Sequence, residues 1–182
     1  RCKFDLYNYA TVDLNSLLYG FERNMAYFAK KLKKYTDEIT WKSRSKERLE
    51  NMNSYMLNDE NIFLDYNFVT GKKSDVFSVA SYFAMFTKAA NEKQAKTLVD
   101  NLPKLEEKYG ISTCEKRTTN IDYQWDYPNG WACLQYIMIR GLENYGYHDD
   151  AVRISRKYVE LVEKVFAETQ NLWEKYNVVE GN

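Results

Sequence analysis

One histidine, His148, occurs in 182 residues. Serine and cysteine nucleophiles of the common triads need a histidine base beside them. His148 sits in the polar turn Gly146-Tyr147-His148-Asp149-Asp150, far in sequence from any candidate nucleophile, so triad chemistry is disfavoured. Cysteine is equally sparse: Cys2, Cys114 and Cys133 are odd in number and show no C-x-x-C spacing, which argues against a disulfide scaffold and a zinc site. There is no glycine-rich phosphate loop, and neither metal nor cofactor is expected. Charge of one sign is lacking too. Lys+Arg 26 against Asp+Glu 26 leaves no basic footprint for a phosphate backbone or an anionic lipid, so no nucleic-acid or membrane partner is expected. No apolar run approaches the ~20 residues that cross a bilayer, and Arg1-Cys2-Lys3-Phe4-Asp5 has no apolar signal-peptide core. Compartment is not legible from a chain that begins without Met. Finally, Pro 2 and Gly 7 leave few breaks for short strands, and the balance favours helices.

What the chain does have is apolar and aromatic material, 45% and 16% of residues, enough for one core at this length. A single domain over 1–182 is expected. Leu14, Leu17, Leu18, Phe21, Met25, Phe28 and Leu32 step by three and four and predict an amphipathic helix over 13–35, with Lys30, Lys31, Lys33 and Lys34 at the end that suits cations. Asp37 is placed to cap a second helix with Ile39, Leu49, Met52 and Met56 inward. A short β-hairpin or extended loop is expected near 60–73 around Thr70-Gly71-Lys72. A buried helix follows over 76–90, then one over 92–109 that kinks or restarts at Pro103 and closes at Gly110. Pro128 sits at a plausible first helical position for a helix over 131–145, and a last helix spans 150–169. The fold class is all-α: helical hairpins whose interhelical loops at one end carry the chemistry, with a plain bundle giving much the same periodicity. No fixed-period repeat is visible.

Two places are unusual. Gln124-Trp125-Asp126-Tyr127-Pro128-Asn129-Gly130-Trp131 crowds aromatics, amides and a carboxylate into eight positions. That mixture suits a sugar, whose C–H faces lie on aromatic planes and whose hydroxyls meet amides and carboxylates. The second is Leu172-Trp173-Glu174-Lys175-Tyr176-Asn177, a carboxylate between aromatics. Glycoside hydrolysis needs only two carboxyl groups, one acid and one base or nucleophile. Asp126 and Glu174 stand out from the charged helix faces, and aromatic surroundings can raise a carboxyl pKa for proton transfer. Each has a plainer alternative: helix capping for Asp126, a salt bridge to Lys175 for Glu174.

The octet with Ala132, followed by Leu134-Gln135, resembles the QWDxPNGWxPLQ signature of the trehalases, glycoside hydrolase family 37. Val12-Asp13-Leu14-Asn15-Ser16-Leu17-Leu18 is similar to that family's PVDLNSLL stretch, Gly110-Ile111-Ser112-Thr113 to the segment before its signature, and Glu174-Lys175-Tyr176-Asn177 to its EKY motif. The resemblance spans nearly the whole chain. It implies the later part of an (α/α)6 toroid, an inverting α-glucosidase that cleaves α,α-trehalose to two glucose molecules without metal or cofactor, and Glu174 as the general base. It further implies Gln124, Trp125, Asp126, Asn129 and Trp131 as the wall of a glucose subsite. The family's general acid belongs to an SGWD-type motif just before the VDLNSLL stretch. Asp5 in Lys3-Phe4-Asp5-Leu6 does not match it, so the chain is expected to begin after the acid and to be nearly inert alone. Cys133 stands where the family commonly has proline. An incomplete toroid should expose helix faces, through which a homodimer or aggregate could form. Two other readings remain at this stage: a sugar-binding or regulatory helical module that has lost hydrolysis, and a helical scaffold whose aromatics are only core.

Overall fold

The computed structural model describes residues 6–117 and 123–182; Cys2 and Asp5 lie outside them. Among the described residues, six α-helices form the body: α1 Val12–Lys31, α2 Tyr35–Asn51, α3 Phe83–Phe86, α4 Glu92–Asp100, α5 Ala132–Asn144 and α6 His148–Thr169. Short strands join them: β1 Tyr9–Ala10, β2 Tyr66–Asn67 and β3 Lys72–Lys73 make one antiparallel sheet, β4 Glu106–Glu107 pairs β5 Gly110–Ile111, and β6 Asn129–Trp131 pairs β7 Lys175–Asn177. The β2–β3 turn is the hairpin expected near 60–73. Helices α1, α3 and α5 are neighbours in turn, while α2 packs on α1 and α6 on α5. This is a sector of a toroid of helical hairpins.

One core runs through α1, α3, α4, α5 and the first half of α6, with Tyr82, Phe63, Met85, Leu98, Met138 and Ile154 fully enclosed. A second, formed by Tyr158, Leu161, Val165, Tyr176 and Val178, ties α6 to β7. Tyr82 donates its hydroxyl to the Leu98 carbonyl at 2.7 Å, which satisfies a polar atom that burial would otherwise penalise.

The α1 register is the main correction. Its buried face is Val12, Ser16, Tyr19, Glu22, Ala26 and Ala29, whereas Leu14, Leu17, Phe21, Phe28 and Leu32 are all exposed. Small residues let α2 approach closely, and the α1 carboxylate buried in the seam is matched. Arg48 of α2 grips Glu22 with two hydrogen bonds of 2.8 and 3.0 Å and reaches Asn15 at 3.0 Å. Such a buried carboxylate is tolerated only when paired in this way. Asp65 accepts the Val12 amide at 2.8 Å and so satisfies a donor at the start of α1 that Thr11 leaves open.

Other boundaries differ for local reasons. Helix α2 begins at Tyr35, so Asp37 lies in its first turn rather than at its cap, where its charge still suits the dipole. Ile39, expected inward, is exposed. The helix expected over 76–90 is a 3-10 turn, Val79–Tyr82, running into the short α3. Helix α4 opens with a reciprocal Asn91–Gln94 capping box and stops at Asp100; Pro103 restarts the chain only as a 3-10 turn, since proline brings no N–H to the ladder. Gly110 does not close that helix but lies in β5 at φ 139°. Pro128 precedes β6 after a cis peptide, and α5 starts at Ala132.

Candidate active site

The aromatic octet is held from beneath by segments on both sides of it. Gln135 of α5 is buried and forms two hydrogen bonds with the backbone of Ile111, accepting from its N–H at 2.9 Å and donating to its carbonyl at 2.6 Å. Thr113 clamps the next strand through its amide and hydroxyl, both on the Asn129 carbonyl, at 2.9 and 2.7 Å. Ser112 donates to the Leu105 and Cys114 carbonyls. Gly130 is where these pieces press closest: a Cβ there would stand 2.3 Å from Val178 Cγ1 and 2.9 Å from the Ile111 carbonyl oxygen. The Gly110–Thr113 segment, Gly130 and Gln135 are therefore structural parts of the signature, keeping β6 flush against its neighbours.

Pairing of β6 with β7 sets Asn129 opposite Asn177, Gly130 opposite Tyr176 and Trp131 opposite Lys175. Residues alternate faces along a strand, so Asn129, Trp131, Lys175 and Asn177 share one face. Tyr176 points the other way into the core against Tyr158. This places Glu174, at the mouth of β7, beside the loop that begins the octet. Gln124 Nε2 donates to Glu174 Oε2 at 3.3 Å across 50 residues of sequence. The carboxylate is exposed, and the plainer reading of a salt bridge with Lys175 is not realised: Lys175 Nζ instead donates to Asn129 Oδ1 at 2.8 Å. Tyr123, Gln124, Pro128, Asn129, Lys175, Asn177 and Glu180 line a cavity of ≈ 590 Å³; Glu174 meets it through Gln124, and Trp125, Asp126 and Trp131 are not among its lining residues. Two other clefts, of ≈ 450 and ≈ 610 Å³, lie along α1 and do not include the octet or Glu174.

The two tryptophans stack face to face, ring centroids 3.7 Å apart and 5° from parallel. Trp125 is 54% exposed and Trp131 only 4%. Trp131 therefore backs Trp125, fixed by its indole N–H on the Gln124 carbonyl at 3.2 Å, and Trp125 offers its outer face to solvent. Asn129 has both amide ends engaged, its Nδ2 donating to the Tyr123 carbonyl at 3.2 Å.

Asp126 caps no helix, because α5 starts six residues later. Its Oδ1 accepts the Tyr127 amide at 2.8 Å and the Cys114 thiol at 2.7 Å, which folds the Asp126–Asn129 turn, closed by the Asn129 amide on the Asp126 carbonyl at 2.9 Å. Burial, reinforced by that carboxylate, pushes the Cys114 thiol up to about 12, so it stays protonated as a donor at neutral pH. Lys175 and Cys114 carried no site role in the sequence reading. Lys175 was visible as a neighbour of Glu174, but nothing in the spacing links Cys114 to Asp126.

What the arrangement can do chemically is narrow: an exposed carboxylate held by the amide of a cavity-lining glutamine, on a loop that also carries an exposed tryptophan face, can meet a hydroxylated ring and take a proton from water.

Comparison with known proteins points the same way. The trehalase family model matches residues 3–182. The chain is 34% identical over 190 residues to the cytosolic neutral trehalase of Kluyveromyces lactis, covering 94% of this chain and 25% of that protein. It is 34% identical over 191 residues to the cytosolic neutral trehalase of Saccharomyces cerevisiae, again covering 94% and 25%. Among solved structures, the neutral trehalase from Saccharomyces cerevisiae superposes with a TM-score of 0.89 at 32% identity, over 96% of this chain and 35% of that one. A GH63 mannosylglycerate hydrolase from Thermus thermophilus superposes at 0.78 with 17% identity over 96% and 43%, a likeness of fold alone. The chain spans about a quarter of the length of the curated relatives it matches.

Proposed function

The chain belongs to the trehalase family, and from that premise we propose that the complete protein hydrolyses α,α-trehalose to two glucose molecules with inversion. Residues 1–182 form a single domain, the later part of an (α/α)6 barrel. Glu174 is the general base, and Gln124, Trp125, Asp126, Asn129 and Trp131 shape the glucose subsite. Their roles differ: Trp125 gives the sugar its apolar platform, Trp131 stiffens that platform from behind, and Asp126 and Asn129 hold the turn. The observation that carries this reading is the 3.3 Å contact between Gln124 and Glu174, which joins two motifs 50 residues apart at the edge of one polar cavity.

Inversion requires a base and an acid about 6.5–9.5 Å apart, with water between the base and the anomeric carbon. Glu174 supplies the first group. Its exposed oxygens are free to accept a proton from that water while Gln124 steadies one of them. The acid is to be sought elsewhere in the complete protein. In that protein Glu174→Gln removes the base and keeps the shape, and glucose release from trehalose should collapse by a factor of at least ~10². Undiminished turnover would sink the assignment, and trehalose binding without hydrolysis by the unmutated full-length protein would favour a sugar-binding module instead.

The exposed Leu14, Leu17, Phe21, Phe28 and Leu32 stripe of α1 is the surface through which the isolated piece associates, as a homodimer or larger species.

A further inference from the structure

Lys175 follows the proposed base directly, yet its side chain turns away from the carboxylate and reaches diagonally across the β6–β7 pair to Asn129. Diagonal neighbours on one face of a strand pair lie within reach of a long side chain. The contact at 2.8 Å is charge-assisted at the donor, the stronger kind of hydrogen bond. Asn129 passes the constraint on, since its Nδ2 donates to the Tyr123 carbonyl at 3.2 Å. The next residue, Gln124, is the one whose amide meets Glu174, and its own carbonyl is pinned by the buried Trp131 indole. The path is therefore continuous from Lys175 through Asn129 and the Tyr123–Gln124 backbone to the carboxylate of Glu174. Gln124 is exposed, so the aim of its side chain leans on how well its backbone is held.

We propose that Lys175 is a positioning residue that keeps the Gln124 amide on Glu174 by locking Asn129, and so orients the base. This rests on Glu174 being the general base. Asn129 is on this view a strut between two strands and a loop, and Lys175 acts without touching the reacting atoms.

The test is made in the full-length protein. Lys175→Met keeps the aliphatic stem and removes the ammonium. Misplacement of a catalytic group by about an ångström costs up to about 10²-fold in rate, so kcat for trehalose should fall by roughly 10- to 100-fold while KM stays within about twofold and the melting temperature falls only slightly, too little to unfold the protein at the assay temperature. Lys175→Arg, which can still donate to Asn129, should recover most of the rate. In a Glu174→Gln background, Lys175→Met should cost nothing further. An unimpaired Lys175→Met, or an equal loss with and without Glu174, overturns the positioning role. If Lys175→Met does not fold, Lys175→Gln serves instead: it keeps a shorter polar side chain without the ammonium, and it should show the same selective loss of kcat, with full activity overturning the proposal. Undiminished turnover in Glu174→Gln alone removes the reading beneath, whereas a collapsed Glu174→Gln with an unimpaired Lys175→Met removes only the part given to Lys175.

Discussion

Replacing Gly130 by alanine adds one methyl group at the tightest point of the site's foundation. The new Cβ would lie 2.3 Å from Val178 Cγ1, 2.9 Å from the Ile111 carbonyl oxygen and 3.1 Å from Gln135 Nε2, against about 3.5–4.0 Å for comfortable carbon contacts. None of the three neighbours can easily give. Val178 is fully buried, and both its backbone groups are bonded, its amide to the Pro128 carbonyl at 3.1 Å and its carbonyl to the Tyr109 amide at 2.9 Å. The Ile111 oxygen is backbone, and Gln135 is committed to Ile111 through both ends of its amide. Overpacking of this kind costs about 1–3 kcal/mol, and dislodging the buried Gln135 amide adds about 1–3 kcal/mol for groups left unsatisfied. A total of about 2–6 kcal/mol is a large part of the roughly 5–15 kcal/mol that holds a domain together. At about 2–4 °C per kcal/mol for a domain of this size, the melting temperature of the 182-residue chain by circular dichroism should drop by on the order of 10 °C. Val178→Ala added to Gly130→Ala removes the shortest contact and leaves the one to Ile111, so the double variant should melt above the sum of the two single losses. A Gly130→Ala protein melting within about 1 °C of the parent would refute the argument, as would strict additivity with Val178→Ala.

Two further outcomes follow from other parts of the fold. Glu106 of β4 receives Arg153 in a two-bond grip, both at 2.9 Å, and Lys157 at 2.6 Å, and these cations, Arg153 foremost, hold its carboxyl below the ordinary 4.5 against the opposing effect of burial. A lowered carboxyl stabilises above its unfolded value and loses that contribution as pH falls through the folded one. Arg153 is 43% exposed and Lys157 30%, so solvent screening reduces the network to about 1–2 kcal/mol; the stability gap between parent and Glu106→Gln should be full at pH 7 and close as pH drops below the ordinary glutamate range. A gap that is constant with pH would contradict this. The isolated 182-residue piece should sediment partly as dimers or larger species, and Phe21→Glu on the exposed α1 stripe should raise the monomer fraction; a strictly monomeric parent would show that the stripe is inert.

Legibility of the fold depended on what each signal measures. Helix periodicity placed α1, α5 and α6 to within a few residues, because a repeat near 3.6 reports that a helix has faces. It does not report which face is covered. In α1 the large apolar residues Leu14, Phe21 and Phe28 lie outside, while Ser16, Ala26, Ala29 and a paired Glu22 make the seam with α2; that choice depends on Arg48, 26 residues away. Breakers carry weight but not meaning: Pro103 predicts a kink or restart within one helix and Gly110 its close, whereas the chain has already left the helix at Asp100 to build the β4–β5 turn.

The candidate site is visible in the sequence as composition and as resemblance, and its division of labour is not. Crowding of Trp125, Asp126 and Trp131 marked the place. Nothing local distinguishes the ring that faces solvent from the one stacked behind it, since burial of Trp131 is set by α5 and β7. The division of the signature into foundation (Gly130, Gln135) and surface (Gln124, Trp125) is likewise a matter of contacts between segments 20 to 50 residues apart, which spacing along one chain does not encode.

The central claim, that Glu174 directs water to the face of the anomeric carbon opposite the departing glucose, is tested most directly by one-dimensional proton NMR of the first products. Full-length protein and α,α-trehalose are mixed, and anomeric signals are read before mutarotation. Inversion predicts one β-glucose for every α-glucose released at early times, with this signal lost in Glu174→Gln. Initial release of α-glucose alone, or an undiminished β signal in Glu174→Gln, would contradict the account.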